Sequence, residues 1–256
     1  MVERKQHSKL PDSKQPTQKL VAPDTSPSVP CFVGLIRHGE RADYVGPHQT
    51  SKPYTVHHDP PLSDIGIKQA YETGLALKKL LIDEQGYETI IIECSPFIRT
   101  MMTAAHIVKG LGKGKIQINY LFTELLTPDL YEDCPLIDML IRNLDKKRLV
   151  EDYLDGVDFE HGDFFKPQAH RLHPESRDQG KERVQHILQH FLTKYKNPTK
   201  KVAHLAVTHG FFVKQFSRAL QGEIKQASFC AISAMEVSEG KGKLVFDSDC
   251  EHVKSW

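Results

Sequence analysis

The chain of 256 residues lacks the features that mark several large classes of protein. No apolar run approaches the roughly eighteen residues that a membrane span needs, so we expect no membrane-embedded segment. Lys and Arg total 34 and Asp and Glu total 33, so the bulk positive charge that attracts nucleic acid is missing. The first residues are charged and no apolar stretch follows them, and we therefore expect no secretion signal.

Cysteine is sparse, and no Cys-x-x-Cys pair is present among the five cysteines. An odd number of scattered cysteines without a secretion signal favours reduced thiols. We therefore expect a cytoplasmic protein, with the nucleus as the alternative compartment. Histidine is abundant by contrast, at 14 residues, and some of these side chains are candidates for chemistry.

The first part of the chain differs in composition from the rest. Residues 1–30 contain five of the fifteen prolines and no aromatic residue, which predicts a disordered tail. Residues 31–256 show no internal repeat and no second hydrophobic segment of domain size. We therefore expect one domain over residues 31–256.

Short apolar runs alternate with helical patterns along residues 31–256. The runs at 31–36 and 88–94 are typical of buried strands in a parallel sheet. Further strands are expected at 115–121, 201–207, 228–237 and 242–247. The alternation predicts an α/β fold, with one open sheet and helices on both of its faces.

Local signals predict where several helices begin and end. Ser63 is expected to cap a helix that runs to residue 83 or 84. A second helix is expected to begin at Ser95, with Pro96 in its first turn, and to end at Gly110. A helical piece is expected around 135–150.

Two strands end in the same dipeptide. The run that ends with Ile36 is followed by Arg37, His38 and Gly39, and a later strand is followed by His209 and a second glycine. In open α/β sheets, ligands bind beyond the carboxyl ends of the strands, and glycine lets a ligand approach the backbone. We therefore expect the two histidines to share one site.

Three arginines lie near such strand-to-helix junctions. Arg37 and Arg41 flank His38, and Arg99 follows the strand at 88–94. Guanidinium groups beside a helix N-terminus suit a tetrahedral oxyanion, because both supply N–H donors and positive charge. The sequence therefore predicts a phosphate pocket in an otherwise neutral chain.

Four short motifs in a fixed order carry a resemblance to a known family. They lie at 37–41 (R-H-G-E-R), 95–100 (S-P-F-I-R-T), 123–124 (T-E) and 208–210 (T-H-G). The set resembles the histidine phosphatase superfamily, in its phosphoglycerate mutase-like group, and the likeness extends over residues 31–250. It implies an open, mostly parallel sheet in a three-layer αβα arrangement.

The resemblance also implies roles for the site residues. His38 would be the nucleophile that accepts the phosphoryl group, and Arg37, Arg99 and His209 would bind it. Glu124 would donate a proton to the leaving oxygen. The implied chemistry uses no cofactor and no metal ion, and its partner is a phosphorylated substrate.

Finer features indicate a subfamily. Gly210 stands where the acid-phosphatase branch has Asp, and residues 122–127 lack the segment found around the acid in cofactor-dependent mutases. Arg41 and the run at 59–63 are most similar to the suppressor-of-T-cell-receptor-signalling and ecdysteroid-phosphate phosphatases. This likeness implies hydrolysis of phosphotyrosine in proteins or of steroid-type phosphates, and a domain able to form a homodimer.

The same motifs leave two alternative functions open. A phosphoglycerate mutase or bisphosphatase would use the same nucleophile, and a catalytically silent module would only bind phosphate. A cysteine phosphatase is rejected, because four residues instead of five separate Cys94 from Arg99 and none of them is glycine.

Overall fold

The computed structural model describes residues 29–45, 50–53, 58–162, 173–223 and 225–256. The tail predicted at 1–30 lies outside the described residues except for its last two positions. No helix within the described ranges combines the length and apolarity that a membrane crossing requires.

Seven strands in the described ranges form one mixed sheet with the order β4-β3-β2-β5-β1-β6-β7. The strands are β1 (Cys31–Arg37), β2 (Thr89–Cys94), β3 (Ile116–Ile118), β4 (Phe159–His161), β5 (Val202–Thr208), β6 (Ile232–Ser238) and β7 (Lys241–Asp249). β1 to β5 pair in parallel, and β6 and β7 add an antiparallel edge. The predicted mostly parallel α/β sheet is confirmed.

Helices cover both faces of this sheet. They are α1 (Ala42–Val45), α2 (Asp64–Leu77), α3 (Ile98–Leu111), α4 (Leu136–Leu144), α5 (Lys146–Tyr153), α6 (Arg177–Lys194) and α7 (Gly210–Ala219). α2 continues into a π-helical turn (Lys78–Glu84), and a 3-10 turn (Tyr120–Phe122) follows β3. The helix expected from Ser63 is confirmed with its cap, because the Ser63 hydroxyl accepts the Gly66 N–H at 3.0 Å.

The central strands are apolar throughout because both of their faces are buried. In β1, Phe32 and Ile36 pack into a core with α2, α3, α4 and α5. Val33 and Leu35 point the other way, into a core with α6 and α7. Side chains alternate along β5 in the same way, so the three layers follow from the period of two in a strand.

The start of α3 differs from the prediction. The helix begins at Ile98, so Ser95 is not its N-cap and Pro96 is not in its first turn. Phe97 occupies the cap position without a side-chain bond, and the carboxylate of Asp59 accepts the Ile98 N–H at 2.9 Å. A distant carboxylate therefore replaces the expected local cap. Its negative charge also interacts favourably with the positive N-terminal end of the helix dipole.

The end of α3 differs as well. The helix continues through Gly110 and stops at Gly112, which has a left-handed φ of 74°. A Cβ on Gly110 would lie 2.7 Å from the Cα of Gly74, so this glycine allows α2 and α3 to touch backbone to backbone. The predicted helical piece around 135–150 is two helices, which meet at Asp145.

The fold brings three strand ends together. β2, β5 and β1 are neighbours, and Cys94 pairs with Val207 while Arg37 pairs with Thr208. The residues after these strands therefore share one edge of the sheet, as we expected for the two His-Gly dipeptides.

Candidate active site

His38 lies directly beyond β1 and is almost fully buried. Its backbone N–H donates to the Thr208 carbonyl at 3.0 Å, which extends the strand pairing by one residue. Its ring Nδ1 is 2.7 Å from the Gly39 carbonyl, and because a carbonyl only accepts, Nδ1 carries the proton. Burial and then the charges of Arg99 and Arg37 hold the pKa of His38 well below its usual range. The ring is therefore neutral, with the lone pair on Nε2.

His209 faces His38 from the end of β5, with ring centroids 5.5 Å apart. Its Nε2 is 2.9 Å from the Ser95 hydroxyl. Its Nδ1 is 3.2 Å from Arg99 Nη2 and 3.1 Å from the nearer carboxylate oxygen of Glu124. Burial lowers the pKa of His209 to about 4, although Glu124 opposes this shift.

Arg99 and Arg37 bring more N–H donors than their surroundings accept. The Arg99 side chain is 1% exposed, and its Nε and Nη1 have no hydrogen-bond partner within the described part of the chain. Asp59 balances part of its charge from 3.7 Å. Arg37 Nη1 donates to the Ala227 carbonyl at 2.7 Å, and its buried Nε has no partner in the described ranges. Buried donors of this kind point to an anion as the ligand.

Glu124 lies beside both Arg99 and His209, with Arg99 Nη2 at 3.5 Å. Burial would raise the pKa of this carboxyl, but His209, Arg99 and the Leu125 N–H outweigh burial and hold it well below its usual value. The group is thus a carboxylate in this structure, able to accept a hydrogen bond from His209 Nδ1.

Arg183 of α6 fixes the segment that carries Glu124. Its guanidinium donates to the carbonyls of Leu121, Thr123 and Glu124 at 2.9 to 3.1 Å. The same guanidinium makes two bonds to the buried Glu175 carboxylate. A paired, fully bonded arginine therefore holds three backbone carbonyls at and before the candidate acid.

Arg41 does not join this group. Its guanidinium makes two bonds to Asp43, at 2.6 and 2.9 Å, and lies over the Tyr44 ring. The role of Arg41 as a further phosphate contact stays a prediction.

Aromatic rings flank the two histidines. Phe229 lies 6.1 Å from the His38 ring and under the Arg37 guanidinium, and the exposed Tyr44 lies beside it. On the other side, Phe97 packs on His209 at 5.1 Å and contacts Tyr131 at 6.0 Å. The site thus has aromatic side chains near both of its imidazoles.

The structure agrees with the rejection of a cysteine nucleophile. Cys94 lies in the apolar core at the end of β2, and burial raises the pKa of its thiol far above the usual value. Cys230 is also buried, and burial raises its pKa to about 12. Neither thiol forms the thiolate that a nucleophile needs.

Sequence reasoning missed several residues that shape the site. Asp59 stands in the run at 59–63, but the contacts that reveal its role are with Ile98 and Arg99, some forty residues away. Ser95 was assigned to a helix cap, whereas its hydroxyl contacts His209.

A cavity of about 260 Å³ lies behind Asp59, between α3, α4 and α5. Its wall includes Arg142, which pairs with Asp59 and donates to the Pro96 carbonyl. His38, Glu124 and His209 do not line it, so the cavity is separate from the histidine site. Across the described ranges, no group of three or more His, Cys, Asp or Glu side chains is arranged to hold a metal ion.

Residues 33–134 match the family model of the histidine phosphatase superfamily (branch 1), which confirms the resemblance read from the motifs. The matched segment contains His38, Arg99 and Glu124, and His209 lies beyond it. No curated protein matches this chain in sequence.

Solved structures share the fold. YhfR of Bacillus stearothermophilus is 19% identical with a TM-score of 0.56, over 88% of this chain and 100% of that one. A phosphoglycerate mutase from Bacillus anthracis is 14% identical with a TM-score of 0.56, over 88% and 96%. The ecdysone phosphate phosphatase from Bombix mori is 16% identical with a TM-score of 0.51, over 85% and 93%. The predicted phosphoglycerate mutase-like architecture is confirmed.

Proposed function

We propose that this chain, whose residues 33–134 match the histidine phosphatase superfamily, hydrolyses phosphate monoesters through a phosphohistidine at His38. One observation carries the proposal. Two buried imidazoles face each other across 5.5 Å, beside buried guanidinium N–H groups that have no partner in the described chain. A tetrahedral phosphoryl group supplies the negative charge and the acceptors that such a site lacks.

In the first step, Nε2 of His38 attacks phosphorus in line with the ester oxygen. The N–P bond forms while the P–O bond to the leaving group breaks, and that oxygen takes up a proton. Arg37, Arg99 and His209 hold the three equatorial oxygens, whose charge the transition state must disperse. The carbonyl of Gly39 keeps the proton of His38 on Nδ1, so the attacking nitrogen needs no deprotonation.

Glu124 supplies the proton to the leaving oxygen. In the structure its pKa is low because Arg99 and His209 are close. A phosphoryl dianion between these groups offsets their positive charge, which raises the affinity of Glu124 for a proton. The oxygen of Glu124 that lies 3.1 Å from His209 Nδ1 is placed to carry that proton.

In the second step, water attacks the phosphorus of phospho-His38. Glu124, now a carboxylate, takes one proton from this water as the N–P bond breaks. Inorganic phosphate leaves, and Nε2 of His38 recovers its lone pair. Neither a metal ion nor a cofactor enters the cycle.

The aromatic side chains support an aryl or steroid-like leaving group. Phe229 lies beside His38 and contacts Tyr44, and Phe97 lies beside His209 and contacts Tyr131. Phe97 is fully buried, but Tyr44, Phe229 and Tyr131 keep accessible surface against which a phosphotyrosine side chain or a ring-containing phosphate would gain packing energy. Homodimer formation is a further prediction, which sedimentation of the purified chain can test.

The first test is hydrolysis of p-nitrophenyl phosphate with and without EDTA. We expect His38→Ala to abolish turnover and EDTA to leave the wild-type rate unchanged. His186→Ala, which removes an exposed histidine on α6, is the matched control and should retain full activity. Activity that survives His38→Ala, or that chelation removes, contradicts the mechanism.

The second test separates the substrates. Phosphotyrosine peptides and a steroid phosphate are compared with 3-phosphoglycerate plus bisphosphoglycerate. We expect hydrolysis of the ring-bearing esters to be the faster reaction. Efficient mutase turnover would overturn the choice of phosphatase, and binding of phosphate with no turnover of any ester would leave only a binding module.

A further inference from the structure

One peptide group connects His38 to α2. The Gly39 carbonyl, which accepts from His38 Nδ1, belongs to the same planar unit as the Glu40 N–H. That N–H donates to the side-chain oxygen of Gln69 at 2.9 Å. Because the unit is planar, a bond that fixes its N–H also fixes the direction of its carbonyl.

Gln69 is buried, at 1% exposure, and both ends of its amide are used. The oxygen accepts from Glu40, and the nitrogen donates to the backbone carbonyl of Ser255 at 3.0 Å. A backbone N–H only donates and a carbonyl only accepts, so a single orientation of the amide satisfies both neighbours.

The last residues of the chain, 251–256, form a segment that we term the C-terminal strap. The Glu72 carboxylate on α2 accepts the backbone N–H groups of Lys254 and Ser255 and the Ser255 hydroxyl, at 2.7 to 3.1 Å. His252 contacts the Thr73 hydroxyl at 3.0 Å. These bonds place the Ser255 carbonyl over Gln69.

Other contacts hold Gly39 and Glu40 close to α2 and α3, but it is Gln69 that bonds the peptide group between these two residues. Thr103 accepts the Gly39 N–H, and Ser63 donates to the Glu40 side chain. Gly39 lies against Gly66 so closely that a Cβ on Gly39 would be 2.5 Å from the Gly66 carbonyl oxygen. None of these contacts engages the Glu40 N–H.

We propose that Gln69, held in orientation by the C-terminal strap, is a positioning residue that keeps His38 in the Nδ1–H tautomer. The inference rests on the proposed function in one respect, namely that Nε2 is the attacking atom. When the Glu40 N–H loses its acceptor, the peptide can turn and the Gly39 carbonyl leaves Nδ1. The proton can then move to Nε2, where it blocks attack on phosphorus.

The direct test is ¹⁵N NMR of the histidine ring nitrogens in the full chain, with His38→Ala used only to assign the His38 signals. In the wild type we expect Nδ1 to be protonated and Nε2 to carry a lone pair. In Gln69→Met, which keeps the length of the side chain and loses both hydrogen bonds, we expect a mixture of tautomers. Lys68→Ala, at the exposed neighbouring position, should give the wild-type signals.

The steady-state constants kcat and KM of Gln69→Met provide a second test of the positioning role. A population shift away from the reactive tautomer, together with a displaced ring, lowers kcat by about ten- to a hundredfold in Gln69→Met. KM should stay within about twofold, because the arginines that bind phosphate are untouched. A merely structural loss would lower the amount of folded protein without moving the ring signals.

Glu72→Ala tests the strap without disturbing the buried amide. We expect it to shift the His38 signals in the same direction as Gln69→Met, and to lower kcat less. Trp256→Ala is its control, because this largely exposed indole donates to the Val253 carbonyl within the strap itself. The strap variant also keeps the proposal testable if Gln69→Met fails to fold.

The outcomes separate the two proposals. Wild-type tautomer signals in both Gln69→Met and Glu72→Ala overturn the positioning role and leave the phosphohistidine route intact. Activity that survives His38→Ala overturns the phosphohistidine route, whatever the ring signals show.

Discussion

His204, within β5, and His209, directly after it, each lie beside a glutamate but use different ring nitrogens: His204 contacts Glu93 through Nε2, and His209 contacts Glu124 through Nδ1. His204 and His209 are both fully buried. At His204 each nitrogen has one partner, with the Tyr195 hydroxyl 2.7 Å from Nδ1 and Glu93 2.7 Å from Nε2. At His209, Nδ1 faces a donor from Arg99 and the Glu124 carboxylate at nearly the same distance.

The difference separates a structural histidine from a chemical one. A neutral His204 satisfies both partners at once, since Tyr195 donates to it and Glu93 accepts from it. Nδ1 of His209 cannot accept from Arg99 and donate to Glu124 at the same time. The Ser95 hydroxyl on its Nε2 can donate or accept, so it suits either arrangement. The contacts of His204 therefore fix its ring proton on Nε2, while the contacts of His209 are compatible with a proton on either nitrogen.

The largest effect is expected on activity from His209→Gln. The substitution removes the ring that we propose to hold the phosphoryl oxygens and that lies 3.1 Å from Glu124. Loss of one such donor costs about a hundred- to a thousandfold in kcat. The measurement is p-nitrophenyl phosphate turnover beside thermal unfolding, and we expect the unfolding midpoint to be close to that of the wild type.

The matched substitution His204→Gln supplies the control. Its kcat should lie within about threefold of the wild type, because His204 is remote from substrate. Equal losses of activity in the two variants would remove the distinction drawn between them.

A smaller effect is expected on stability from His204→Gln. Glutamine cannot reach Tyr195 and Glu93 as the ring does, so at least one buried polar group loses its partner. We expect the free energy of unfolding to fall by about 1–3 kcal/mol in urea titrations. A larger loss of stability in His209→Gln than in His204→Gln would reverse our assignment of the structural role.

The smallest effect is expected in the pH dependence of stability. Burial lowers the pKa of His204 below its ordinary value of 6.5, although Glu93 opposes the shift. Below pH 6.5 the unfolded state therefore binds more protons, and stability falls as pH falls. Burial alone would raise the pKa of Glu93, but the bonds from His204 and Asn119 lower it, so its contribution is lost at more acid pH.

Urea titrations at pH 7.5, 6.0 and 5.0 measure this dependence. Each such group adds a slope of up to about 1.4 kcal/mol per pH unit between its folded and unfolded pKa values. His204→Gln should show a shallower decline than the wild type. Parallel curves would mean that His204 does not take up a proton on unfolding in this range.

The sequence predicted those parts of the fold and site that depend on local pattern. Apolar runs located β1, β2 and β5, because strands buried on both faces contain little else. Because ligands bind at the carboxyl ends of strands in open α/β sheets, we could also predict that His38 and His209 lie together, and they do. Ser63 was identified as a cap because its partner is three residues away.

The remaining features depend on contacts between distant residues. Asp59 replaces the predicted cap of α3 from 39 positions away, so no local reading could find it. Gln69 and Ser255 are 186 positions apart, and neither stands in a motif. The split of the 135–150 helix follows from Asp145, which ends α4 and caps α5 at once.

The position of the two deeply buried thiols has a consequence for redox conditions. Cys94 is the last residue of β2, directly before Ser95. The backbone N–H of Cys230 donates to the His38 carbonyl. Both stay protonated and out of contact with solvent, so peroxide has no thiolate to attack. If His38 is the nucleophile, as we propose, neither of these thiols has to be ionised for turnover, and we expect activity to survive a mild peroxide treatment that inactivates a cysteine-dependent phosphatase.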